Sequence, residues 1–313
     1  MVAIPTETVY GLGADASNEE ALDRLYQAKG RPRRHPVIVH LSGAEQMARW
    51  AKEVPTAAQK LAQAFWPGPL TLVLRKSEAV LDALTGGAGT IALRVPSHPL
   101  ARSVLEAFTE AAEGRLAGLA MPSANKFGRV SPTTAQHVAD DMGNAVDFVL
   151  DGGACEVGIE STIVDLSREE PTLLRPGGIQ RAQLEAVLDR PLADPTPEAP
   201  RVPGSLPSHY APRARLQLAT RLQIIDALAT NRSRRIAVLA LEVSVPRLAA
   251  SLSVVVPAIA SSYARTMYAN LRTLDATGAD VILAERPPGS PNWAGVLDRL
   301  QRAAGPAAKT KRS

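Results

Sequence analysis

Seven of the chain's 25 prolines fall at positions 191, 195, 197, 200, 203, 207 and 212. Each removes a backbone donor and fixes φ near about −65°, so no helix and no central strand can run through this stretch. A chain of 313 residues is thereby cut in two. That suits a prior of roughly one domain per 150 residues. The expected organisation is a first domain over 1–190, an extended, semi-rigid linker over 191–212, and a second domain over 213–313.

Charge follows the same division. Residues 1–194 carry 19 Lys and Arg against 24 Asp and Glu, whereas residues 195–313 carry 16 against 7. The overall net charge of +4 and pI near 9.4 invite a nucleic-acid reading. The surplus belongs wholly to the second part, so it says nothing about chemistry in the first. Hydrophobic residues at 45% and mean hydropathy of −0.04 exclude a mainly disordered chain. No apolar run approaches the roughly 18 residues of a membrane span. Met1–Pro5 lacks a basic, then apolar, leader pattern, so no signal peptide is expected. Cys155 is the single cysteine and has no cationic neighbours in sequence. It reads as an inert, buried or half-buried thiol, and a cytoplasmic protein is the default.

Before the linker, short apolar runs alternate with amphipathic stretches. Strands are expected at 2–4, 37–41, 70–74, 90–95, 116–121, 146–150 and 161–166. Helices are expected at about 56–65, 99–112, 133–142 and 180–188. Ser17 with Glu20, and Ser42 with Glu45, have the capping-box spacing of helix starts, and Gly30 closes the first helix. After the linker, strands are read at 236–241, 254–256 and 281–284, with helices at 263–277 and 293–304. Interleaved strands and helices make both parts α/β. Lys309–Ser313 reads as a frayed end.

Several familiar sites are missing. No G-x-x-x-x-G-K-[ST] exists, and Gly11-Leu12-Gly13 lacks the third glycine of a dinucleotide fingerprint. Without C-x-x-C or H-E-x-x-H there is no case for zinc. His35 and His40, five apart across an expected strand, would face opposite ways, so a shared metal is not expected.

Polar chemistry sits instead at strand ends. Pro5-Thr6-Glu7-Thr8-Val9-Tyr10-Gly11-Leu12-Gly13 sets two hydroxyls and a carboxylate on an apolar strand, then two glycines that allow close backbone approach. Taken alone it also fits a polar turn. Lys29-Gly30-Arg31-Pro32, with Arg33, Arg34 and His35, gathers cations beyond a helix end. Guanidinium groups there suit phosphate oxygens, although a solvated basic loop has the same composition. Arg31 is expected to be exposed and ligand-facing. Pro122-Ser123-Ala124-Asn125 and Ser131-Pro132-Thr133-Thr134 supply hydroxyls and an amide at a strand end ahead of a helix, an anion cradle, with Thr133 and Thr134 read as ordinary caps. Thr90 and Arg94, four apart on one strand, share a face. Glu160-Ser161-Thr162 and Arg175-Pro176-Gly177-Gly178 could join them at one polyanionic ligand.

These segments carry a resemblance. PTETVYGLG at 5–13, KGRP at 29–32, PVIVH at 36–40, RVPSHP at 94–99, PSAN at 122–125, ESTIVD at 160–165 and LRPGG at 174–178 look like the YrdC family. PSHYAP at 207–212 and the domain beyond it resemble the family's long form, the L-threonylcarbamoyladenylate synthases. The resemblance implies a twisted mixed-sheet YrdC-like domain followed by a small Rossmann-like α/β domain. It implies a nucleotidyltransferase that makes threonylcarbamoyl-AMP and pyrophosphate from L-threonine, bicarbonate and ATP, for the threonylcarbamoyladenosine modification of tRNA. Mg²⁺ is implied as cofactor, held mainly by ATP phosphates and water. Hand-over of the product to the threonylcarbamoyl transferase complex is also implied, without a membrane partner or direct stable nucleic-acid binding.

Position by position, the resemblance puts threonine against Thr8, His40, Arg94, Met121 and Ser161, with Arg94 on the threonine carboxylate. ATP contacts fall on Arg31, His35, Thr90, Ser123, Ser131, Arg175 and Tyr210. Lys29, Arg31, Ser123 and Asn125 complete the Lys-x-Arg and Ser-x-Asn pairs of active members. The linker carrying Tyr210 is implied to gate the nucleotide site and exclude water.

Three departures stand out. The family has a helix and more of the first strand before V-A-I-P, so either the start is miscalled, the favoured expectation, or the domain lacks an edge. His35 stands where Asn is common, and Met121 where alanine is usual, its contact expected through backbone or packing. Two other readings compete: a non-catalytic RNA- or ribosome-binding protein, which would show salt-sensitive RNA binding without ATP turnover, and a carbamoyl-transfer role like that of hydrogenase-maturation relatives. A lone cysteine counts against the latter, because those relatives carry zinc-finger-like cysteines.

Overall fold

The computed structural model describes residues 1–230, 233–241 and 252–306. The segment 309–313, read above as a frayed end, lies outside the described residues. The chain divides into two compact units: Met1–Phe127 with Ser131–Ser205, and Gly128–Val130 with Leu206–Ser313.

The first unit is built on one mixed sheet. Its strands are β1 (Val2–Ile4), β2 (Gly11–Asp15), β3 (Ile38–His40), β4 (Leu70–Arg75), β5 (Thr90–Arg94), β6 (Leu119–Ala120), β7 (Phe148–Val149), β8 (Thr162–Asp165) and β9 (Thr172–Arg175). They lie in the order β7-β1-β2-β6-β3-β5-β4-β8-β9. The β7–β1, β3–β5 and β4–β8 pairs are parallel, and the other neighbours are antiparallel.

Side chains alternate across this sheet as strand geometry requires. Val39, Leu72, Leu74, Leu93 and Val164 point into the main core with Leu12, Leu25 and Trp50. Ile38, Val73, Ala92 and Ile163 face the other way, where Leu174 and Val202 join them. Burying each such aliphatic side chain contributes about 1.5–3 kcal/mol. The helix Pro99–Ala111 covers Ile4, Leu119 and Met121 through Ala101 and Leu105.

The proline stretch is divided between the units. Its first half covers the sheet: Val202 is 5% exposed in the cluster with Ile38 and Val73, and the Ala193 amide donates to Pro171 O at 2.9 Å. A proline-rich segment can do this because it needs few ladder bonds and presents apolar surface cheaply in conformational entropy.

Local signals misplace some details. The first helix is Glu19–Lys29, and its N-cap is Asn18, whose side chain accepts from the Ala21 amide. Ser17 is instead engaged with Asp15, to which its hydroxyl donates at 2.7 Å. The Ser42–Glu45 signature precedes only a short 3₁₀ turn and the single helical turn Met47–Trp50, with no side-chain cap. Gly30 closes the first helix at φ 63, a left-handed conformation that glycine accepts without strain. The glycine-rich segment read as a turn holds β2, and the apolar run 116–121 forms only the two-residue β6.

The second unit contains β10 (Arg215–Ala219), β11 (Ile236–Leu241), β12 (Leu252–Val256) and β13 (Val281–Glu285). They form an all-parallel sheet in the order β10-β13-β11-β12. Helices Arg221–Thr230, Ala260–Ala276 and Ala294–Ala304 accompany it, which is the expected Rossmann-like layering. Sequence reading misses β10 and the helix after it. The strand lies at the sheet edge with mixed burial, and the helix buries only Ile224 and Leu228 while Leu222 is exposed. No helix of the described residues is long and apolar enough to cross a membrane.

Candidate functional site

The segment 5–13 is the hub of the first unit. It descends from β1, turns through Thr6–Tyr10 and returns as β2. The Tyr10 amide donates to Pro132 O at 2.9 Å, Tyr10 O accepts from the Ala124 amide at 2.8 Å, and the Leu12 amide donates to Pro122 O at 2.8 Å. Val157 N reaches Glu7 O at 2.7 Å. The P-S-A-N segment, Ser131-Pro132 and the loop before Glu160 are thus tied to one turn by backbone hydrogen bonds.

On one side of the hub lies Arg94, at the end of β5 and 3% exposed. Its Nη1 donates to Thr8 Oγ1 at 2.8 Å, Nη2 to Glu7 Oε1 at 2.6 Å and Nε to Gly68 O at 3.3 Å. Glu7 also accepts from the Ser97 amide through Oε2 at 3.2 Å. Thr8 Oγ1 lies 2.9 Å from Thr6 Oγ1, which donates to Val9 O at 2.6 Å. The guanidinium is therefore fixed by a buried carboxylate that the sequence reading did not place in the site. His40 pairs in register with Arg94 across β3–β5. It is buried with no partner on Nδ1. Burial and then Arg94 hold its imidazole well below the ordinary value, so it is neutral. Met121 donates its amide to Ile38 O at 3.0 Å and packs against Ile4.

Ser161 adjoins β4 and β8. Its Oγ lies 2.7 Å from Thr71 Oγ1, and Arg175 donates to Ser161 O through Nε at 3.0 Å and Nη2 at 2.9 Å. Arg175 Nη1 donates to Pro203 O at 2.8 Å. Arg175 is 2% exposed. Gly177 is required here because a side chain would collide with the Thr162 amide.

On the other side lies Lys29, the last residue of its helix and 2% exposed. Its Nζ donates to Asn125 O at 2.5 Å and also to Ser123 O. Desolvation first, and Arg31 second, push its ammonium well below the usual lysine value. Arg31 corrects the expectation of an exposed side chain, for it is 8% exposed. Nε donates to His35 O at 3.4 Å, Nη2 donates to Pro36 O at 2.6 Å, and the guanidinium stacks 5.5 Å from the Phe127 ring centroid. Of the arginines beyond the helix only Arg31 is held internally: Arg33, which pairs with Asp23, and Arg34 are both exposed.

His35 is part-exposed beside Phe127, with ring centroids 5.3 Å apart. It sits in the turn before β3 rather than on the strand, so the face argument for His35 and His40 does not apply. Burial, Arg31 and Arg34 lower its pKa. Ser131 is fully buried, and its hydroxyl donates to Glu160 Oε1 at 2.6 Å. Thr90 begins β5 opposite Arg75, at the far end of the strand from Arg94, about 13 Å along it. Asn125 is buried and donates through Nδ2 to Lys126 O at 2.8 Å.

Tyr210 belongs to the second unit, where it is 1% exposed beside Arg299 and Tyr268. Cys155 is buried and its thiol is pushed up to about 12, an inert group as expected. Among the described residues no group of three or more His, Cys, Asp and Glu offers a metal cage.

Glu7, Glu160, Thr71 and Phe127 are the polar or aromatic neighbours that sequence reading left out of the site. Glu7 and Glu160 stood inside quoted segments, each one position before a chosen hydroxyl residue. Nothing local marks Thr71 or Phe127, because each acts through a partner distant in sequence.

Comparison with known proteins gives the family. Residues 1–177 match the family model described as Telomere recombination, which joins the Sua5, YciO and YrdC proteins. Residues 179–305 match the one described as Threonylcarbamoyl-AMP synthase, C-terminal domain. A threonylcarbamoyl-AMP synthase of Pyrococcus abyssi is 38% identical over 318 residues, covering 97% of this chain and 90% of that protein. One of Bacillus subtilis is 39% identical over 319 residues, covering 97% and 89%. The crystal structure of P. abyssi Sua5 complexed with L-threonine superposes with a TM-score of 0.87 at 38% identity, covering 97% of this chain and 90% of that one. With both family models matched in order and relatives aligned along nearly its full length, this chain belongs to the threonylcarbamoyl-AMP synthase family.

Proposed function

We propose that this protein is a threonylcarbamoyl-AMP synthase, converting L-threonine, bicarbonate and ATP to threonylcarbamoyl-AMP and pyrophosphate for tRNA modification. The observation that carries the reading is the convergence on one turn, Thr6–Tyr10, of a buried Arg94–Thr8–His40 group and the Lys29–Ser123–Asn125 group.

The threonine amine attacks bicarbonate carbon and a carbamate forms with loss of water. A carbamate oxygen then attacks the α-phosphorus, the bond to the β-phosphate oxygen breaks, and pyrophosphate leaves. Arg94 keeps N–H groups beyond its three described bonds, and these would meet the threonine carboxylate. The orphaned, neutral His40 Nδ1 would take its partner from threonine, and the Ser161 hydroxyl would complete that side. Lys29 would hold the Ser123 and Asn125 backbone in the shape that receives phosphates. Arg31, His35, Thr90, Ser131 and Arg175 would line the nucleotide. No nucleophilic side chain is needed, so rate enhancement would come from positioning and from neutralising phosphate charge.

Glu7 and Glu160 are already engaged, by Arg94 and Ser131 respectively. An Mg²⁺ would therefore take its oxygens mainly from phosphates and water, where it would neutralise phosphate charge. The mixed anhydride is reactive in water, which fits hand-over to a threonylcarbamoyl transferase complex in the cytoplasm, where ATP and tRNA are found. Purified protein supplied with ATP, Mg²⁺, bicarbonate and threonine should release pyrophosphate, and omission of threonine should abolish that release. Threonine-independent release would overturn the proposal.

A further inference from the structure

Tyr210 has φ 63, one of three non-glycine residues with positive φ among the described residues. A bulky aromatic residue adopts that region only where its surroundings impose it. Those surroundings belong largely to the helix Ala294–Ala304 of the same unit. The Arg299 guanidinium carbon lies 5.6 Å from the Tyr210 ring centroid, Tyr268 lies 5.8 Å away, and His209 meets the ring edge-on at 4.2 Å. The backbone is held as well: the His209 amide donates to Arg302 O at 3.1 Å, and Arg302 Nη1 donates to Leu206 O at 2.8 Å. Ala211 N donates to Gly128 O at 2.9 Å.

Arg299 is fully buried. A charge so placed is costly unless it is paired and put to use. Asp298 supplies the pairing, accepting from Arg299 Nη1 at 2.6 Å. Asp298 does not depend on Arg299, because Arg302 Nε also donates to it at 3.0 Å. What Arg299 adds is a flat, desolvated cation beneath an aromatic ring, a contact that strengthens away from water. We propose that Arg299 is a positioning residue: fixed by Asp298, it holds Tyr210 in its left-handed conformation and fixes the segment 206–211 on the last helix. Its effect on turnover rests on the reading of Tyr210 as a nucleotide contact.

The test uses the full chain with Arg299→Met, Arg299→Lys and Tyr210→Ala. Methionine keeps much of the stem volume and leaves Asp298 paired with Arg302. Lysine keeps the charge but loses the planar face. Hydrogen exchange of the peptide spanning 206–212 should quicken about tenfold in Arg299→Met, with Arg299→Lys intermediate and exchange in the first unit's strands unchanged. The KM for ATP should rise about fivefold in Arg299→Met and more in Tyr210→Ala, with KM for threonine unaltered. Unchanged exchange at 206–212 in the folded variants overturns the proposal. So does an ATP KM that rises in Tyr210→Ala but not in Arg299→Met. Should exchange quicken while neither variant alters the ATP KM, positioning by Arg299 stands and the nucleotide reading of Tyr210 falls. If Arg299→Met fails to fold, Arg299→Lys decides by the same readouts.

Discussion

Arg94 Nη1 donates to Thr8 Oγ1 at 2.8 Å, joining residues 86 positions apart in a space closed to solvent. The same guanidinium pairs with Glu7, both side chains no more than 5% exposed. Removing one partner of such a pair strands the other charge. Arg94→Met should therefore destabilise the chain by about 3–5 kcal/mol, and adding Glu7→Gln should recover part of that loss. Urea unfolding of the wild type and the two variants measures it; a cost below about 1 kcal/mol would mean that the pair is not buried in solution.

Lys29 is braced between Ser123 O and Asn125 O. Lys29→Met should lower threonine-dependent pyrophosphate release about a hundredfold, equivalent to about 2.7 kcal/mol of barrier, with far-UV circular dichroism retained. Lys29→Arg should not rescue it, because a planar guanidinium does not replace a compact ammonium between two carbonyls. Wild-type turnover in either variant would remove Lys29 from the site.

His40 gives a pH signature. Its imidazole is held well below 6.5 in the folded chain, by burial first and Arg94 second. The unfolded chain takes up a proton as pH falls through 6.5, and the folded chain does not. Stability is thus full above that value and declines below it, by up to about 1.4 kcal/mol per pH unit. His40→Gln should flatten the decline between about pH 6.5 and 5 in urea unfolding, leaving the smaller contribution of part-exposed His35. Parallel slopes in wild type and variant would contradict the assignment.

Ser131 and Glu160 share a buried hydrogen bond of 2.6 Å. Loss of one charge-assisted hydrogen bond that shapes the nucleotide side should raise the KM for ATP about tenfold in Ser131→Ala. Steady-state kinetics at saturating threonine measures this, and an equal rise in the KM for threonine would argue against a nucleotide-side role.

Much of the architecture was legible because its cause is local. Val39, Leu72 and Leu93 lie in continuous apolar runs, and a strand buried on both faces shows itself as such a run. β2 was hidden because Gly11 and Gly13 are weak strand formers locally, and only pairing with β1 and β6 makes them a strand. The helix start shifted from Ser17 to Asn18 because Asp15 captures the Ser17 hydroxyl. At the candidate site, hydroxyls and cations at strand ends marked segments that backbone hydrogen bonds tie to the turn Thr6–Tyr10. Their partners were not legible: Glu7 on Arg94 and Phe127 under Arg31 are tertiary contacts that no spacing rule encodes.

On the proposed function, this one chain assembles threonine, bicarbonate and ATP into a single mixed anhydride. Mass spectrometry of the reaction run with isotope-labelled bicarbonate tests it most directly. The expected product is a threonine-dependent adenylate carrying the bicarbonate label in its carbamoyl carbon, formed one for one with pyrophosphate. An adenylate without the label, or ATP cleavage with no adenylate at all, would contradict it.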